Sequence, residues 1–364
     1  MNYQILAQKW RPQSFQDIIG QKNIVTAISN GLSLGRIHHA WLFSGTRGVG
    51  KTTIARLLAK SLNCEKGITS NPCRKCLICQ EIEKGLCLDV IEIDGASRTK
   101  VEDMRDILDN ISYAPNKSRF KIYLIDEVHM LSRHSFNALL KTLEEPPKHV
   151  KFILATTDIE RIPKTIISRC LYFQLQIISE EKIFNFLKII LLKESIKTDI
   201  YSLKKISYHA KGSIRDALNL LEYAINIGNG HITINTTREM LGIPLEKYSF
   251  LLTRSVLKIN AKKTMFLLNR MHNIGVEWEE ILIEILRFLH RISITQYFSS
   301  QYKQSIQDIY QNHINIIANN ITKKNIQLCY QILLNGRKEL QFAPSRRIGV
   351  EMTLLRAINT MKIH

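Results

Sequence analysis

The apolar residues of the chain follow two rhythms, and the change between them divides it. Up to about residue 178, short β-branched and aromatic runs alternate with helical stripes. Residues 40–44, 88–94, 120–129 and 151–157 each read as a strand, and Ile167-Ser-Arg-Cys-Leu-Tyr-Phe173 leads into a fifth. Between the first two strands Ile54, Leu57, Leu58 and Leu62 recur at helical spacing, and an earlier helix is predicted over 23–32. Alternation of this kind predicts a parallel α/β sheet with its sites at the carboxyl ends of the strands. From Ser179, a predicted helix cap, the period is helical throughout: Ile183, Leu187, Ile190 and Leu191 open a small helical region that runs to about Leu241. Gly242-Ile-Pro244 reads as a hinge. Beyond it Trp278, Ile281, Leu282, Ile285 and Leu289 form one apolar stripe, and Ile348, Met352 and Leu355 begin another; both are expected to be core.

Composition adds bounds. At 364 residues and 45% hydrophobic content the chain is long enough for two or three domains with cores of their own. No stretch approaches the ~20 apolar residues of a membrane span, and the start, Met1-Asn-Tyr-Gln, has no secretory signal, so a cytosolic protein is expected. A net charge of +19 favours a polyanionic partner such as nucleic acid, although abundant Lys, Ile and Asn throughout would equally follow from coding bias. Seven cysteines, an odd number, argue against a disulfide framework.

The candidate chemistry begins where the first strand ends. Gly45, Gly50, Lys51 and Thr52 fit the spacing G-x-x-x-x-G-K-S/T, with a strand running in and a helix running out. Such a loop turns successive backbone N–H groups inward and adds the positive end of the helix to an anion site. Lys51 would reach β- and γ-phosphates, and the Thr52 hydroxyl would face Mg²⁺. The third predicted strand ends in Asp126-Glu127, an acidic pair suited to holding Mg²⁺ through its water shell (Asp126) and polarising an attacking water (Glu127). Thr156 or Thr157 at the end of the fourth strand would contact the γ-phosphate or that water; propensity alone would also place threonines there. Arg169, just before the fifth strand, is either an arginine finger for a neighbouring molecule's nucleotide or a partner for a surface acid. Ser213 and Asp216 suggest a capping box, and Arg215 in that first turn is a cation at a helix N-terminus, a placement that an anionic contact would compensate.

Other features carry alternatives of their own. In the N-terminal arm Trp10, Phe15 and Ile19 are read as core, the alternative being that the arm, with Arg11, lies against an adenine ring. Cys64, Cys73, Cys76 and Cys79 have the spacing of a closed four-thiolate zinc site, structural because no coordination position stays open; a redox pair or an Fe–S cluster is the competing reading. Cys87, Cys170 and Cys329 are expected to be small buried residues. Arg98, Lys100 and Arg105 make a basic cluster suited to nucleic-acid phosphates or simply to a solvated face.

Together Gly45-Thr-Arg-Gly-Val-Gly-Lys-Thr52, the four cysteines, Leu124-Ile-Asp-Glu-Val-His-Met-Leu-Ser132, Leu143-Glu-Glu-Pro-Pro147, Ala155-Thr-Thr-Asp158, Ser168-Arg-Cys170 and Gly212-Ser-Ile-Arg-Asp216 closely resemble the gamma/tau subunits of the bacterial DNA polymerase III clamp loader, essentially end to end. Ser-Arg-Cys is shared by clamp-loader ATPases broadly; the cysteine insert and Lys9-Trp-Arg-Pro12 narrow the likeness. The resemblance implies an AAA+ fold: a P-loop α/β ATPase domain over 1–178 with a zinc module at about 64–79, a helical lid over 179–242, and a helical collar over 243–364. It further implies that Gly45, Thr46, Arg47, Gly48, Val49, Gly50, Lys51 and Thr52 bind ATP, with Thr52 and Asp126 toward Mg²⁺ and Glu127 in hydrolysis. Arg169 would act in trans, and Arg215 would be the lid's sensor of the γ-phosphate. The implied partners are delta and delta-prime subunits and further copies of the chain in a hetero-pentameric ring, a sliding clamp and primed DNA, in the cytoplasm and without a membrane. Such a subunit hydrolyses ATP within the polymerase holoenzyme without being the polymerase. The chain stops at His364 with the collar and so looks like the short form, which puts helicase and polymerase coupling in doubt. The rival classes are a scaffold that only binds nucleotide, which the Asp126-Glu127 pair and Arg169 disfavour, and another AAA+ machine such as a helicase or helicase loader, which the cysteine insert disfavours.

Overall fold

A computed structural model describes residues 4–96, 110–240, 244–298 and 310–363. The basic cluster of Arg98, Lys100 and Arg105, and Gly242 and Ile243 of the predicted hinge, lie outside the described residues. The chain forms two compact units, residues 1–237 and 238–364.

The first unit is built on five parallel strands, β1 (Ala40–Ser44), β2 (Val90–Asp94), β3 (Lys121–Asp126), β4 (Val150–Thr156) and β5 (Leu171–Gln174), in the order β2-β3-β4-β1-β5. Alternate residues of β1 to β4 enter different cores, as the pleat requires. Trp41, Phe43, Ile122, Leu124 and Ile153 join the helix that follows β1, while Ala40, Leu42, Tyr123, Ile125, Phe152 and Leu154 pack with Phe136, Leu139 and Leu143. Register aligns the strand ends: Ser44 pairs with Thr156 and Asp94 with Asp126, so loops after β1, β2, β3 and β4 open on one edge.

Among the described residues the helices of this unit are, in chain order, α1 (Leu6–Lys9), α2 (Lys22–Ser33), α3 (Lys51–Asn63), α4 (Leu77–Lys84), α5 (Arg133–Glu144), α6 (Lys164–Ile167), α7 (Glu180–Lys193), α8 (Ile200–His209) and α9 (Ile214–Ile227), and α10 (Ile234–Met240) crosses into the second. Ser179 stands at the N-cap of α7 but its side chain bonds nothing there; Glu180 and Glu181 supply the negative charge of the first turn.

Some expectations are corrected. The third strand ends at Asp126 and does not run on to 129, because Glu127 takes a left-handed backbone (φ 47°) and Val128–Met130 form a short 3₁₀ turn. The second begins at Val90, since Val90 N–H turns back to the Cys87 carbonyl at 3.2 Å. In the arm Phe15 is core, but Trp10 and Ile19 are half-buried in a cavity wall.

The second unit is helical among its described residues: α11 (Pro244–Leu257), α12 (Ala261–Asn273), α13 (Trp278–Tyr297), α14 (Gln311–Asn320), α15 (Lys323–Glu339) and α16 (Arg346–Ile363). The stripe Trp278, Ile281, Leu282, Ile285 and Leu289 is buried as predicted. The other is not: Ile348 and Met352 are exposed, and α16 buries Val350, Leu354, Ala357, Ile358 and Met361 instead. Cys87 and Cys329 are buried; Cys170 is only half-buried.

Candidate nucleotide and metal sites

One cavity of about 830 Å³ lies over the ends of β1 and β3. Arg47 to Thr53 form its floor, Asp94, Asp126 and Glu127 one side, the arm residues Trp10, Arg11 and Pro12 another, and Ile214, Arg215, Leu218 and Asn219 of α9 a third. The loop after β1 is compact for a steric reason. Gly48 has φ +78°, and a Cβ there would lie 2.0 Å from Ser213 Oγ and 3.2 Å from Arg215 Cβ, so the absence of a side chain lets α9 close on the loop. Ser213 Oγ meanwhile accepts the Asp216 N–H at 3.1 Å and caps α9.

Lys51 opens α3 and is buried; its Nζ donates to the Gly45 carbonyl at 2.8 Å and to the Thr46 carbonyl at 3.2 Å. Burial pulls its pKa below the ordinary lysine value, against the upward pull of Glu127 and Asp126. The Thr52 hydroxyl donates to Asp126 Oδ2 at 2.7 Å, which sets two hard oxygen donors side by side, the donor chemistry Mg²⁺ takes. Glu127 is aimed across the edge of the sheet, where its Oε2 accepts from Thr157 N (3.0 Å) and Thr157 Oγ1 (2.9 Å), with His129 Nδ1 3.4 Å away. Of the two threonines flagged at this strand end, Thr157 therefore meets the acidic pair, while Thr156 Oγ1 bonds the His129 ring at 3.0 Å.

Arg169 is not brought to this cavity. Its Nη1 donates to the Thr165 carbonyl and its Nη2 to Glu144 Oε1, both at 2.7 Å. Arg11, which lines the cavity, donates from Nε to Thr53 Oγ1 at 3.5 Å; burial, then Arg56, lowers its pKa. Trp10 is fixed from outside the cavity, its indole N–H donating to Glu194 Oε1 at 2.8 Å. Sequence reasoning passed over His129, Glu144 and Glu194, since each meets its partner only through the fold.

Cys64, Cys73, Cys76 and Cys79 converge, their sulfurs all within 4.8 Å of one another. Three N–H···S bonds of 3.4 Å run from Cys73 N to Cys64, Cys76 N to Cys73 and Cys79 N to Cys76. The N–H groups of Cys76 and Lys75 lower the Cys73 thiol to about 6, whereas burial and the Cys76 sulfur raise Cys79. Four sulfurs this close cannot all be thiolates without a cation among them, so the donor set fits tetrahedral zinc.

Residues 20–179 match the family described as DNA polymerase III, delta subunit; 182–230 match the ATPase lid domain of the DNA polymerase III clamp loader subunit; and 232–364 match domain III of DNA polymerase III subunits gamma and tau. The DNA polymerase III subunit gamma of Buchnera aphidicola subsp. Acyrthosiphon pisum is 76% identical over 361 residues, which cover 99% of this chain and 100% of that one. Subunit tau of Escherichia coli K12 is 54% identical over 358 residues, 98% of this chain and 56% of tau, and that of Bacillus subtilis 168 is 40% identical over 79% of this chain and 51% of the relative. Among the described residues no helix is long and apolar enough to cross a membrane. The chain belongs to the gamma/tau subunits of the DNA polymerase III clamp loader, AAA+ ATPases of the replication machinery that are not themselves the catalytic polymerase.

Proposed function

We propose that this subunit binds MgATP in the 830 Å³ cavity and hydrolyses it to open a sliding clamp and leave it closed on primed DNA. The observation that carries the reading is the convergence of three separate elements on one cavity: the N-terminus of α3, the Asp126-Glu127 pair and Arg215 of α9. Gly45 to Thr52 would cradle the phosphates, Lys51 exchanging its loop carbonyls for phosphate oxygens. Thr52 and Asp126 would hold Mg²⁺, which when bound neutralises phosphate charge. Glu127 would take a proton from water as the new P–O bond forms and the bridging bond to ADP breaks. Arg215 would sense the γ-phosphate from the lid, and Arg169 would serve the ATP of an adjacent subunit, in keeping with its place outside its own cavity. The divisions 1–178, 179–242 and 243–364 would act as motor, lid and collar. Delta, delta-prime and further copies of the chain would complete a cytoplasmic ring in which Arg98, Lys100 and Arg105 follow the DNA backbone. The four cysteines would hold a structural Zn²⁺ whose binding contributes folding energy to a module with few apolar residues.

Steady-state ATPase of the ring, with and without clamp and primed DNA, tests this. Clamp and DNA should stimulate turnover, and Glu127→Gln and Arg169→Ala should each lower it by orders of magnitude, about 10³–10⁵ for a finger, with MgATP still bound. Turnover indifferent to DNA and to both substitutions would leave only a nucleotide-binding scaffold.

A further inference from the structure

The motor fold holds a buried lysine that phosphate chemistry does not use. Lys60 lies nine residues along α3 from Lys51, about two and a half turns, and is 3% exposed. Its Nζ donates to Glu83 Oε2 on α4 and to Gln13 Oε1 in the N-terminal arm, both at 2.9 Å. A buried ammonium is tolerated only when paired and hydrogen-bonded, so these contacts fix all three elements relative to one another. Each leads somewhere. Helix α4 carries Cys79 and is capped by Cys76, whose sulfur accepts the Cys79 N–H. Gln13 directly follows Trp10, Arg11 and Pro12 in the cavity wall, and its N–H is held by Asp17 Oδ2 at 3.3 Å. Helix α3 runs from Lys51 to Asn63 and is followed at once by Cys64.

We infer that Lys60 is a positioning residue that couples the cysteine site to the nucleotide cavity: metal on the four cysteines seats α4, Glu83 and Lys60 hold Gln13, and the arm is thereby set against the nucleotide. The inference rests on the nucleotide and zinc readings above. Because coupling between two sites is reciprocal, zinc should tighten nucleotide binding by the factor by which nucleotide tightens zinc binding. The redox and Fe–S alternatives for the cysteines provide no such reversible exchange with a chelator.

The test is equilibrium binding of MgADP to the full chain, zinc-loaded and chelator-stripped, with zinc affinity measured by competition against a chromophoric chelator with and without MgADP. In the parent chain both affinities should change by the same factor, about tenfold, within the usual range of roughly 5–150-fold. Gln13→Ala, which leaves the Lys60–Glu83 pair intact, should reduce that factor to about twofold or less while zinc still binds one to one; Lys60→Met should do the same, and Lys60→Arg should restore part of it. A coupling factor in Gln13→Ala as large as in the parent overturns the inference, as does MgADP binding that is equally tight with and without zinc. A zinc-loaded chain that binds no MgADP overturns the nucleotide reading as well, and one that takes up no zinc overturns the zinc reading as well.

Discussion

The approach of α9 to the phosphate loop can be measured through a single methyl group. Gly48→Ala introduces two costs. The first is the left-handed backbone at φ +78°, about 1–2 kcal/mol for an L-residue. The second is the collision of the new Cβ with Ser213 Oγ, 2.0 Å away, which Ser213 escapes only by giving up its cap on α9, worth about 1 kcal/mol. The total is about 2–3 kcal/mol. Gly35→Ala is the matched control, since Gly35 has φ +67° and open space around its would-be Cβ, so it bears only the first cost. Urea unfolding followed by Trp10 and Trp41 fluorescence, in a Trp278→Phe background, would report on the first unit alone. Gly48→Ala should exceed Gly35→Ala by about 1 kcal/mol, and combined with Ser213→Ala it should fall short of additivity by a similar amount, because the colliding hydroxyl is already gone. Equal effects of the two glycine substitutions, or strict additivity with Ser213→Ala, would refute the packing of α9 on the loop.

Asp89 gives a pH dependence of defined sign. Burial alone would raise its pKa, but the N–H groups of Asn116, Lys117 and Ser118, at 2.7–2.9 Å from its carboxylate, outweigh that and lower it. A carboxyl with a depressed folded pKa contributes stability above its unfolded value of about 3.9, lost as the pH falls through the folded one. Urea midpoints should therefore drop more steeply below about pH 4 in the parent than in Asp89→Asn, which should cost about 1–3 kcal/mol at neutrality for the acceptor it removes. In the second unit Leu354→Ala should cost about 2–5 kcal/mol and Met352→Ala no more than about 0.5 kcal/mol; thermal unfolding that ranked them the other way would mean that α16 turns its other face inward.

The α/β architecture was legible because its cause is local. Alternate residues of 40–44 and 121–126 go to different cores, and the glycine spacing before Lys51 needs only its flanks to be understood. The face of α16 was not legible, because its apolar residues are interspersed with polar ones on every side: Ile348, Met352 and Leu355 repeat with the same period as Val350, Leu354, Ala357 and Ile358, and only the packing partners choose between them. Strand β3 was read three residues too long because Val128 continues its apolar run, while the left-handed turn at Glu127 leaves no trace in hydropathy. Trp10 was read as core together with the apolar Phe15 and Ile19 of the same arm; the acid that holds its indole, Glu194, lies far along the chain. The same distance hides Glu144 from Arg169, and Gln13 and Glu83 from Lys60.

Lys51 and Glu127 in the cavity, and Arg169 outside it, are each held by partners of this chain, and the strength of each hold bears on how the proposed site would be switched. Arg169 pairs with Glu144 where both are partly exposed, an interaction worth about 0–1 kcal/mol, and donates to the Thr165 carbonyl; on the proposed reading an adjacent subunit's phosphate would replace both, and the charged phosphate is the stronger acceptor. On the proposed reading Lys51 would give up two neutral carbonyls for charged phosphate oxygens, bonds of about twice the strength, and would gain by the exchange. Glu127 is held more firmly, by two donors of a single residue, Thr157, each a bond to an ionised acceptor worth about 1.5–3 kcal/mol. Filling the cavity with nucleotide therefore favours the move of Lys51 but supplies nothing that releases Glu127, whose partner is Thr157 at the end of β4, at the neighbouring strand's edge. On the proposed reading, nucleotide binding by Lys51 and water activation by Glu127 would thus be separable steps. If that reading holds, a shift of the end of β4 relative to β3 would free Glu127, so clamp and primed DNA should raise turnover with little change in nucleotide affinity, which ATPase and MgADP-binding measurements made side by side would check.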